Sequence, residues 1–275
     1  MILLAANLAA AVALLLWSVR LIRTGVERAF MPELRRRLKD LSGKPLSAAA
    51  GGSLAAMVLQ SSAAVALIGG GFAASGLLEP AAALALLLGA DLGSAALAQV
   101  LLLPIQAIVP FILLAGVVTF FNARSRKTKQ IGRILVGLSL VFIALDMIRA
   151  TTAPIGDAEI VRSIAAYFVG DLISAFAIGA LLAWAMHSSL AAVLAFAAFA
   201  STGILAAPVA AALVIGANLG GAVIPYALLS SAPRPARLMA LGNLIARGGL
   251  AIVFLAGLAS GLVGLSYLGH GAAQQ

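Results

Sequence analysis

Two pairs of adjacent serines interrupt long apolar stretches of the chain, Ser61-Ser62 and Ser188-Ser189. A serine at a break between two helices can accept hydrogen bonds from the first N–H groups of the second helix. The partial positive charge at that helix start favours an anion, and the carbonyls that end the preceding helix favour a cation. The pairs therefore predict sites where a small anion and a cation lie side by side. The alternative is that the hydroxyls only bond backbone carbonyls inside ordinary helices.

Two further segments place polar side chains deep in apolar sequence. Gly-Ala-Asp-Leu-Gly occupies residues 89–93, and Gly-Ala-Asn-Leu-Gly occupies residues 216–220. A carboxylate in the middle of a membrane span is costly, so Asp91 predicts a function. Unwound backbone carbonyls beside it would form a cation site of hard oxygen ligands, and Asn218 is the corresponding candidate in the second segment. The glycines also fit a helix-packing motif, which does not explain Asp91 or Asn218.

Arg247 and His187 are the remaining candidates for chemistry. Arg247 lies ten residues beyond Arg237, about 15 Å along a helix, which is far for a side chain to reach the interface. It could clamp an oxyanion through two N–H groups, or it could pair with Asp91 or Asp146 and only neutralise charge. His187 could change its protonation near neutral pH, or it could act simply as a hydrogen-bond partner.

An internal repeat relates the two sets of candidates. Residues 43–102 align with residues 170–229 without a gap, shifted by 127 positions, and about 25 of the 60 positions are identical. The serine pairs, the Gly-rich segments and several single glycines fall in register. Chance matches between alanine-rich sequences would not align these rarer residues. Two copies of an apolar, glycine-interrupted unit in one membrane chain are typical of secondary transporters.

The composition indicates an integral membrane protein built from helices. Of the 275 residues, 63% are hydrophobic and 10% are charged, and the mean hydropathy is +1.13. Apolar runs near twenty residues recur, which favours spanning helices over the alternating segments of a transmembrane β-barrel. No Walker-type nucleotide motif is present, so an ion gradient would have to supply energy for transport. The absence of cysteines excludes thiol catalysis and thiolate metal sites.

The net charge of +9 is concentrated beside the apolar spans. Lysines and arginines cluster between Arg20 and Lys44 and again between Arg124 and Arg133, as the positive-inside rule expects of cytoplasmic segments. This distribution predicts contact with anionic lipid head groups and argues against nucleic acid as a partner.

The hydropathy pattern predicts an all-α fold in which each repeat contains two short helices. A first span covers about residues 2–22, and a basic amphipathic segment continues to about residue 41 in the interface. Each serine pair separates two pieces of about 15 residues, which are too short to span comfortably and favour a re-entrant hairpin. The remaining predicted helices and hairpin pieces cover about 45–59, 62–76, 80–102, 104–121, 131–149, 171–186, 189–204, 208–229 and 237–260.

The second repeat is predicted to be inverted relative to the first. Three spans precede it, and an odd number of spans reverses its direction across the membrane. With the basic segments in the cytoplasm, both termini lie outside, and the hairpins enter from opposite sides, as alternating access at a midplane site between the tips requires. The predicted divisions are a first repeat at 1–103, a connecting helix and basic loop at 104–130, an inverted second repeat at 131–230, and a final helix with a tail at 231–275.

At these residues the chain resembles the bacterial sodium/phosphate cotransporter family, which is related to the type II sodium-dependent phosphate cotransporters of animals. That family has a Gln-Ser-Ser-Ser motif at each re-entrant tip and a Gly-Ala-Asn-Ile-Gly-Thr-like segment downstream. The resemblance implies a phosphate site formed by Gln60, Ser61, Ser62, His187, Ser188, Ser189, Asn218 and Asn243. We add Arg247 to this site because its side chain could clamp an oxyanion. It implies a sodium site that includes Ser62, Asp91, Ser94, Ser189 and Asn218.

The chain departs from the two family motifs at five positions. Ala63 and Leu190 replace the third serines, Ser94 and Gly221 replace threonines, and Asp91 replaces an asparagine. Each lost hydroxyl removes one ligand for sodium or phosphate, and Asp91 adds negative charge. We also expect the chain to lack the PhoU-like domain that some bacterial members carry at the C-terminus.

We therefore expect a multi-pass protein of the bacterial inner membrane that transports phosphate with sodium and uses no organic cofactor. Membrane lipid and a second copy of the chain are the expected partners. One alternative is a proton-coupled carrier of another small anion that uses Asp91 and His187, and another is a membrane subunit that does not transport. An enzyme is not predicted, because no acid/base group accompanies the serines.

Overall fold

The computed structural model describes residues 2–40, 44–155, 163 and 167–261, and this part of the chain contains helices and no β-strand. Residues 156–162 and 164–166, between the helices predicted at 131–149 and 171–186, lie outside the described residues, as does the tail beyond residue 261. The α-helices are α1 Ile2–Asp40, α2 Pro45–Leu59, α3 Ser62–Ala74, α4 Pro80–Leu101, α5 Val109–Phe121, α6 Arg126–Thr152, α7 Leu172–Ala185, α8 Ser189–Ser201, α9 Ala207–Leu228 and α10 Arg234–Ala259. Short 3₁₀-helices precede α5 at Gln106–Ile108 and follow α6 at Ala153–Ile155.

Five of the described helices are long and apolar enough to cross a membrane: α1, α4, α6, α9 and α10. The remaining apolar helices of the described residues are shorter, and they include both members of each serine-pair hairpin. The prediction of an all-α, multi-pass membrane protein is therefore confirmed.

The first helix differs from its prediction. We expected a span that ends near residue 22 and a separate amphipathic segment, but α1 continues without a break to Asp40. An ion pair between Arg23 Nε and Glu27 Oε1, 3.0 Å long, joins successive turns where the break was expected. Pro32 is accommodated inside the helix. Helix propensity across the basic segment thus outweighs the change from apolar to polar sequence.

Helix α5 is shorter than the span predicted at 104–121. Together with its 3₁₀ turn it covers Gln106–Phe121, about 24 Å at 1.5 Å per residue. This length is less than the hydrocarbon thickness of about 30 Å, and α5 is not among the five long candidate spans of the described residues. Whether α5 crosses the membrane decides whether the repeats are inverted, so the inversion stays a prediction.

The chain divides into two compact units whose boundaries fall inside helices. The first unit comprises residues 16–143 and 222–245 and contains the first serine pair. The second unit comprises the chain up to Leu15, residues 144–221 and the chain from Ala246 onward, and it contains the second pair. These units group residues by contact, so they do not test the predicted repeat boundaries.

Equivalent helices of the two repeats have the same bounds after the shift of 127 residues. Helices α3 and α8 correspond at both ends, as do α4 and α9. The two copies therefore build the same local structure from sequences that are mostly different.

Helices α4 and α9 are continuous through their Gly-rich segments, so the prediction of unwound backbone there is wrong. The glycines pack instead: a Cβ on Gly89 or Gly93 would collide with the carbonyl of Ala49 or Ser53 on α2. In the second unit, Gly216 and Gly220 contact the carbonyls of Phe176 and Ala180 on α7 in the same way. All four contacts are in register, which identifies the glycines as a close helix-packing face.

The two short helices of the first unit form a hairpin. Gly52 of α2 approaches the backbone of Leu86 on α4, and Gly69 of α3 approaches the side chain of the same residue. Because these glycines lie on opposite sides of the serine pair, the chain must fold back there. In the second unit, α7 and α8 pack against each other, and both contribute to a core with α9 and α10.

Candidate functional site at the serine pairs

Both serine pairs begin with the same unusual backbone. Gln60 and His187, at equivalent positions, have φ angles of 54° and 51° in the left-handed region. Ser61 and Ser188 follow in an extended conformation, with φ of −161° and −156°. A positive φ is uncommon for residues other than glycine. Its occurrence at two equivalent positions shows that each repeat breaks the helix at the same place.

The first serine of each pair caps the helix that follows. The Ser61 hydroxyl accepts a hydrogen bond from the N–H of Ala64 at 3.1 Å, and the Ser188 hydroxyl accepts one from Ala191 at 3.1 Å. The capping prediction is therefore confirmed for both residues, and the alternative of hydroxyls inside continuous helices is wrong. Each tip presents the positive end of a helix dipole.

In the first unit, Gln60 at the tip and Asn243 on α10 carry buried amide groups. Gln60 is buried, and its Oε1 has no hydrogen-bond partner within the described residues. Asn243 on α10 is fully buried, and in the same part of the chain neither of its amide atoms has a partner. Buried amides without partners are rare and costly. A polar ligand or water at these atoms would remove that cost.

Helix α10 packs against α3 in the first unit. A Cβ on Gly69 would lie 3.7 Å from Met239 Sδ, and one on Gly70 would lie 3.6 Å from Ala236 Cβ. Asn243 lies one turn beyond Met239 on α10.

The predicted cation ligands Asp91 and Ser94 occupy adjacent turns of α4. Both side chains are half-buried, and Oδ2 of Asp91 is inaccessible to solvent. Helix α2 runs parallel to α4, as the contacts of Ala49 with Gly89 and of Ser53 with Gly93 show. The tip that ends α2 therefore lies toward the half of α4 that carries these two residues.

In the second unit, a buried arginine contacts the polar residue of the Gly-rich segment. Arg247 is 5% exposed, and its Nη2 donates a hydrogen bond to Oδ1 of the exposed Asn218. The predicted alternative partner Asp146 accepts a hydrogen bond from Arg149 at 3.1 Å. The structure therefore adds a neutral amide, which the sequence did not suggest, to the partners of Arg247.

Gly221 lies where the second tip and Arg247 approach each other. A Cβ on Gly221 would lie 3.0 Å from the Ser189 hydroxyl oxygen and 3.4 Å from Arg247 Nη2. The residue at this position thus sets how closely the hydroxyl and the guanidinium converge. Sequence reasoning treated Gly221 only as a lost threonine, although its alignment with Ser94 was the signal that could have identified it.

His187 is exposed, and its Nδ1 lies 3.1 Å from the carbonyl oxygen of Ala185. Its observed role is to provide the left-handed residue of the second tip, as Gln60 does in the first.

The predicted site residues are thus divided between the units. The first unit contains Gln60, Ser61, Ser62, Asp91, Ser94 and Asn243, and the second unit contains His187, Ser188, Ser189, Asn218 and Arg247. Among the described residues, no group of three or more His, Cys, Asp or Glu is placed to hold a metal. The oxygen-bearing candidates of the first unit are hydroxyls, amides and the carboxylate of Asp91.

Comparison with known proteins finds a transporter family and several relatives. Residues 14–150 match the family described as Na+/Pi-cotransporter. The chain is 38% identical over 240 residues to the protein named "Putative inorganic phosphate export protein YjbB" of Escherichia coli strain K12, and 39% identical over 240 residues to that of Salmonella typhimurium strain LT2. The chain is therefore similar to the Na+/Pi-cotransporter family over residues 14–150 and to relatives named for phosphate export over 240 residues. This family consists of transporters and not of enzymes, in agreement with the prediction from sequence.

These matches cover most of this chain and less than half of each relative. Each alignment includes 87% of this chain and 44% of the relative, so the chain spans under half the length of the curated relatives it matches. A more distant relative, "Uncharacterized protein YqeW" of Bacillus subtilis strain 168, is 22% identical over 202 residues, or 74% of this chain and 66% of the relative. No solved structure matches the chain significantly.

Proposed function

We propose that the protein is a secondary transporter of the bacterial inner membrane that couples inorganic phosphate to sodium. The observation that carries the proposal is the repeated tip: a left-handed residue, an extended serine and a capped helix start, formed twice in register. Similarity to the Na+/Pi-cotransporter family and the phosphate export named for two relatives support phosphate as the substrate.

The proposed anion contacts in the second unit are the start of α8 and Arg247. The helix start carries about half a positive charge. Arg247 offers a planar set of N–H donors that matches phosphate oxygens. Its position about 20 Å along α10 from Arg234 places it within the span, where an ionisable residue indicates a transport function.

The proposed sodium ligands begin with Asp91 and the hydroxyls of Ser62 and Ser94. Sodium is co-transported cargo in this proposal. Coupling follows if bound sodium offsets the charge of Asp91 and so raises phosphate affinity, in which case phosphate raises sodium affinity by the same factor.

We further propose that both hairpins are re-entrant. Helices α2 and α3 have 15 and 13 residues, about 22 and 20 Å, and α7 and α8 have similar lengths. These helices are shorter than the hydrocarbon thickness, and backbone breaks at that depth are tolerated only inside protein or beside water. Inverted orientation of the repeats would expose the tips alternately to the two sides.

The direct test is flux of radiolabelled phosphate in proteoliposomes, with and without a sodium gradient, measured for both uptake and efflux. We expect a sodium gradient to stimulate phosphate flux several-fold over an equal choline gradient. Flux that responds only to a pH gradient would indicate proton coupling. No phosphate flux in either direction, with folded protein in the vesicles, would contradict the proposal.

Two substitutions test the proposed contacts. Arg247→Ala should weaken phosphate affinity at least tenfold, because a charge-assisted hydrogen bond is worth about 1.5–3 kcal/mol. Arg237→Ala is the matched control, since this exposed residue lies on the same helix and should leave affinity unchanged. Asp91→Asn should alter the sodium dependence of flux. If Arg247→Ala and Asp91→Asn both transport like the parent protein, the site assignment is wrong.

A further inference from the structure

The two repeats place different chemistry at equivalent positions. After the shift of 127 residues, Asp91 corresponds to Asn218, and Ser94 corresponds to Gly221. Ser62 likewise corresponds to Ser189. The backbone is the same in both repeats, since α4 and α9 have equivalent bounds and equivalent glycine contacts. Differences between these side chains are therefore differences in what each tip can bind.

The first repeat offers oxygen ligands of negative or neutral character. Asp91 and Ser94 are half-buried on adjacent turns of α4, with one carboxylate oxygen of Asp91 inaccessible to solvent. After the shift of 127 residues, Ser62 and Ser94 are the equivalents of Ser189 and Gly221, which lie in contact in the second repeat. A carboxylate and two hydroxyls are hard oxygen donors, the kind of ligand that hard cations take.

The second repeat lacks the carboxylate and one hydroxyl, and Arg247 of α10 adds a guanidinium beside it. Arg247 Nη2 bonds the amide oxygen of Asn218 and lies 3.4 Å from the position of a Gly221 Cβ. The Ser189 hydroxyl lies 3.0 Å from that same position. A sodium ion held by Ser189 and Asn218 would therefore meet a fixed positive charge within a few ångströms. An oxyanion at the start of α8 would be stabilised by that charge and by the helix dipole.

We infer that the two tips are specialised: the first binds sodium through Asp91, Ser94 and Ser62, and the second binds the oxyanion through Arg247 and Ser189 and excludes sodium. Gly221 determines this specificity, because its missing side chain lets the hydroxyl and the guanidinium converge. Asn218 positions the guanidinium. The inference rests on the proposed function and removes Ser189 and Asn218 from the sodium site.

Exchanging the equivalent residues tests the specialisation. In Gly221→Ser, a new Cβ lies 2.9 Å from Ser189 Cβ and must displace the hydroxyl or the guanidinium. We expect the phosphate Kd, measured by calorimetry at saturating sodium, to rise at least tenfold. The midpoint of sodium-induced thermal stabilisation, measured without phosphate, should stay within about twofold. Choline chloride at equal concentration controls for ionic strength.

The reciprocal variant Ser94→Gly should give the opposite pattern. Loss of a hydroxyl ligand should raise the sodium midpoint at least tenfold, whereas the phosphate Kd at saturating sodium should change less than twofold. Asn218→Ala provides a second test if Gly221→Ser does not fold: it removes the acceptor that orients Arg247 and should weaken phosphate but not sodium.

The outcomes separate this inference from the proposed function. If the parent protein binds phosphate but both exchange variants weaken the same ligand, or Gly221→Ser weakens only sodium, the specialisation is wrong and the function stands. If Asn218→Ala weakens sodium and leaves phosphate unchanged, Asn218 belongs to a sodium site and the inference fails. A parent protein that binds no phosphate under any sodium concentration overturns both.

Discussion

Replacing Gly89 by alanine should destabilise the protein, although alanine favours helices. A Cβ at this position would lie 2.6 Å from the carbonyl carbon of Ala49 and 2.7 Å from its Cα, and nearer still to the carbonyl oxygen. These are backbone atoms of α2, so no side chain can rotate away. Helix α2 would have to move outward, and the neighbouring contact of Gly93 with Ser53 would open with it.

The magnitude follows from two opposing terms. A glycine-to-alanine change inside a helix gains about 1 kcal/mol of propensity. Overpacking a close contact costs about 1–3 kcal/mol, and a collision with backbone lies at the upper end. We therefore expect Gly89→Ala to reduce the free energy of unfolding by about 2 kcal/mol. Gly216→Ala, whose Cβ would collide with the backbone of Phe176, should reduce the free energy of unfolding by a similar amount.

Gly71 provides the matched control. It lies within α3, it is exposed, and a Cβ there would meet nothing within 4 Å. Gly71→Ala should therefore stabilise the protein by up to about 1 kcal/mol. Unfolding by SDS in mixed micelles, followed by tryptophan fluorescence, measures both variants. If Gly89→Ala were as stable as Gly71→Ala, the helix-packing role of the Gly-rich segments would be refuted.

Three further predictions address the tips and the topology. Ser61→Ala and Ser188→Ala should each lower the free energy of unfolding by about 1 kcal/mol in the same assay, because each removes a helix cap. Aspartate at either position should restore the stability. Alanine variants as stable as the parent protein would contradict the capping role. The chain has no cysteine, so the single substitutions Leu103→Cys and Ala123→Cys report topology directly. A membrane-impermeant thiol reagent should label Leu103→Cys from outside and Ala123→Cys only after permeabilisation. Labelling of both variants from one side would mean that α5 does not span the membrane. Hydrogen bonds from Ser174 lower the pKa of the Asp171 carboxyl at the start of α7. The ionised carboxylate therefore contributes stability above the ordinary carboxyl pKa range, and this stability is lost as the pH falls through the lowered pKa. Asp171→Asn should reduce the loss of stability at acid pH, and an unchanged stability–pH profile would refute this.

The internal repeat made most of the local structure predictable. Apolar runs, prolines at helix starts and the two serine pairs gave the bounds of α2, α3, α4, α8 and α9 within a few residues. The same alignment indicated capping serines, because a hydroxyl at a helix break has few other uses in an apolar segment. These features depend on residues adjacent in sequence, and local chemistry decides them.

The predictions from sequence were wrong where one sequence pattern is compatible with two different structures. Glycines and a polar residue inside a span fit an unwound site as well as a packed helix, and only the approach of α2 to Gly89 and of α7 to Gly216 distinguishes them. The continuity of α1 past residue 22 was missed for a similar reason, since a change from apolar to basic sequence does not end a helix.

The sequence by itself determined the class of protein, the repeat, the two tips and the residues that carry charge within the membrane. The tertiary structure decided which of these residues meet, namely Arg247 with Asn218 and Ser189 with Gly221. The physical reason is that capping and hydropathy act over a few residues of one segment. A contact between side chains 29 residues apart, as in Arg247 and Asn218, depends on how separate helices pack.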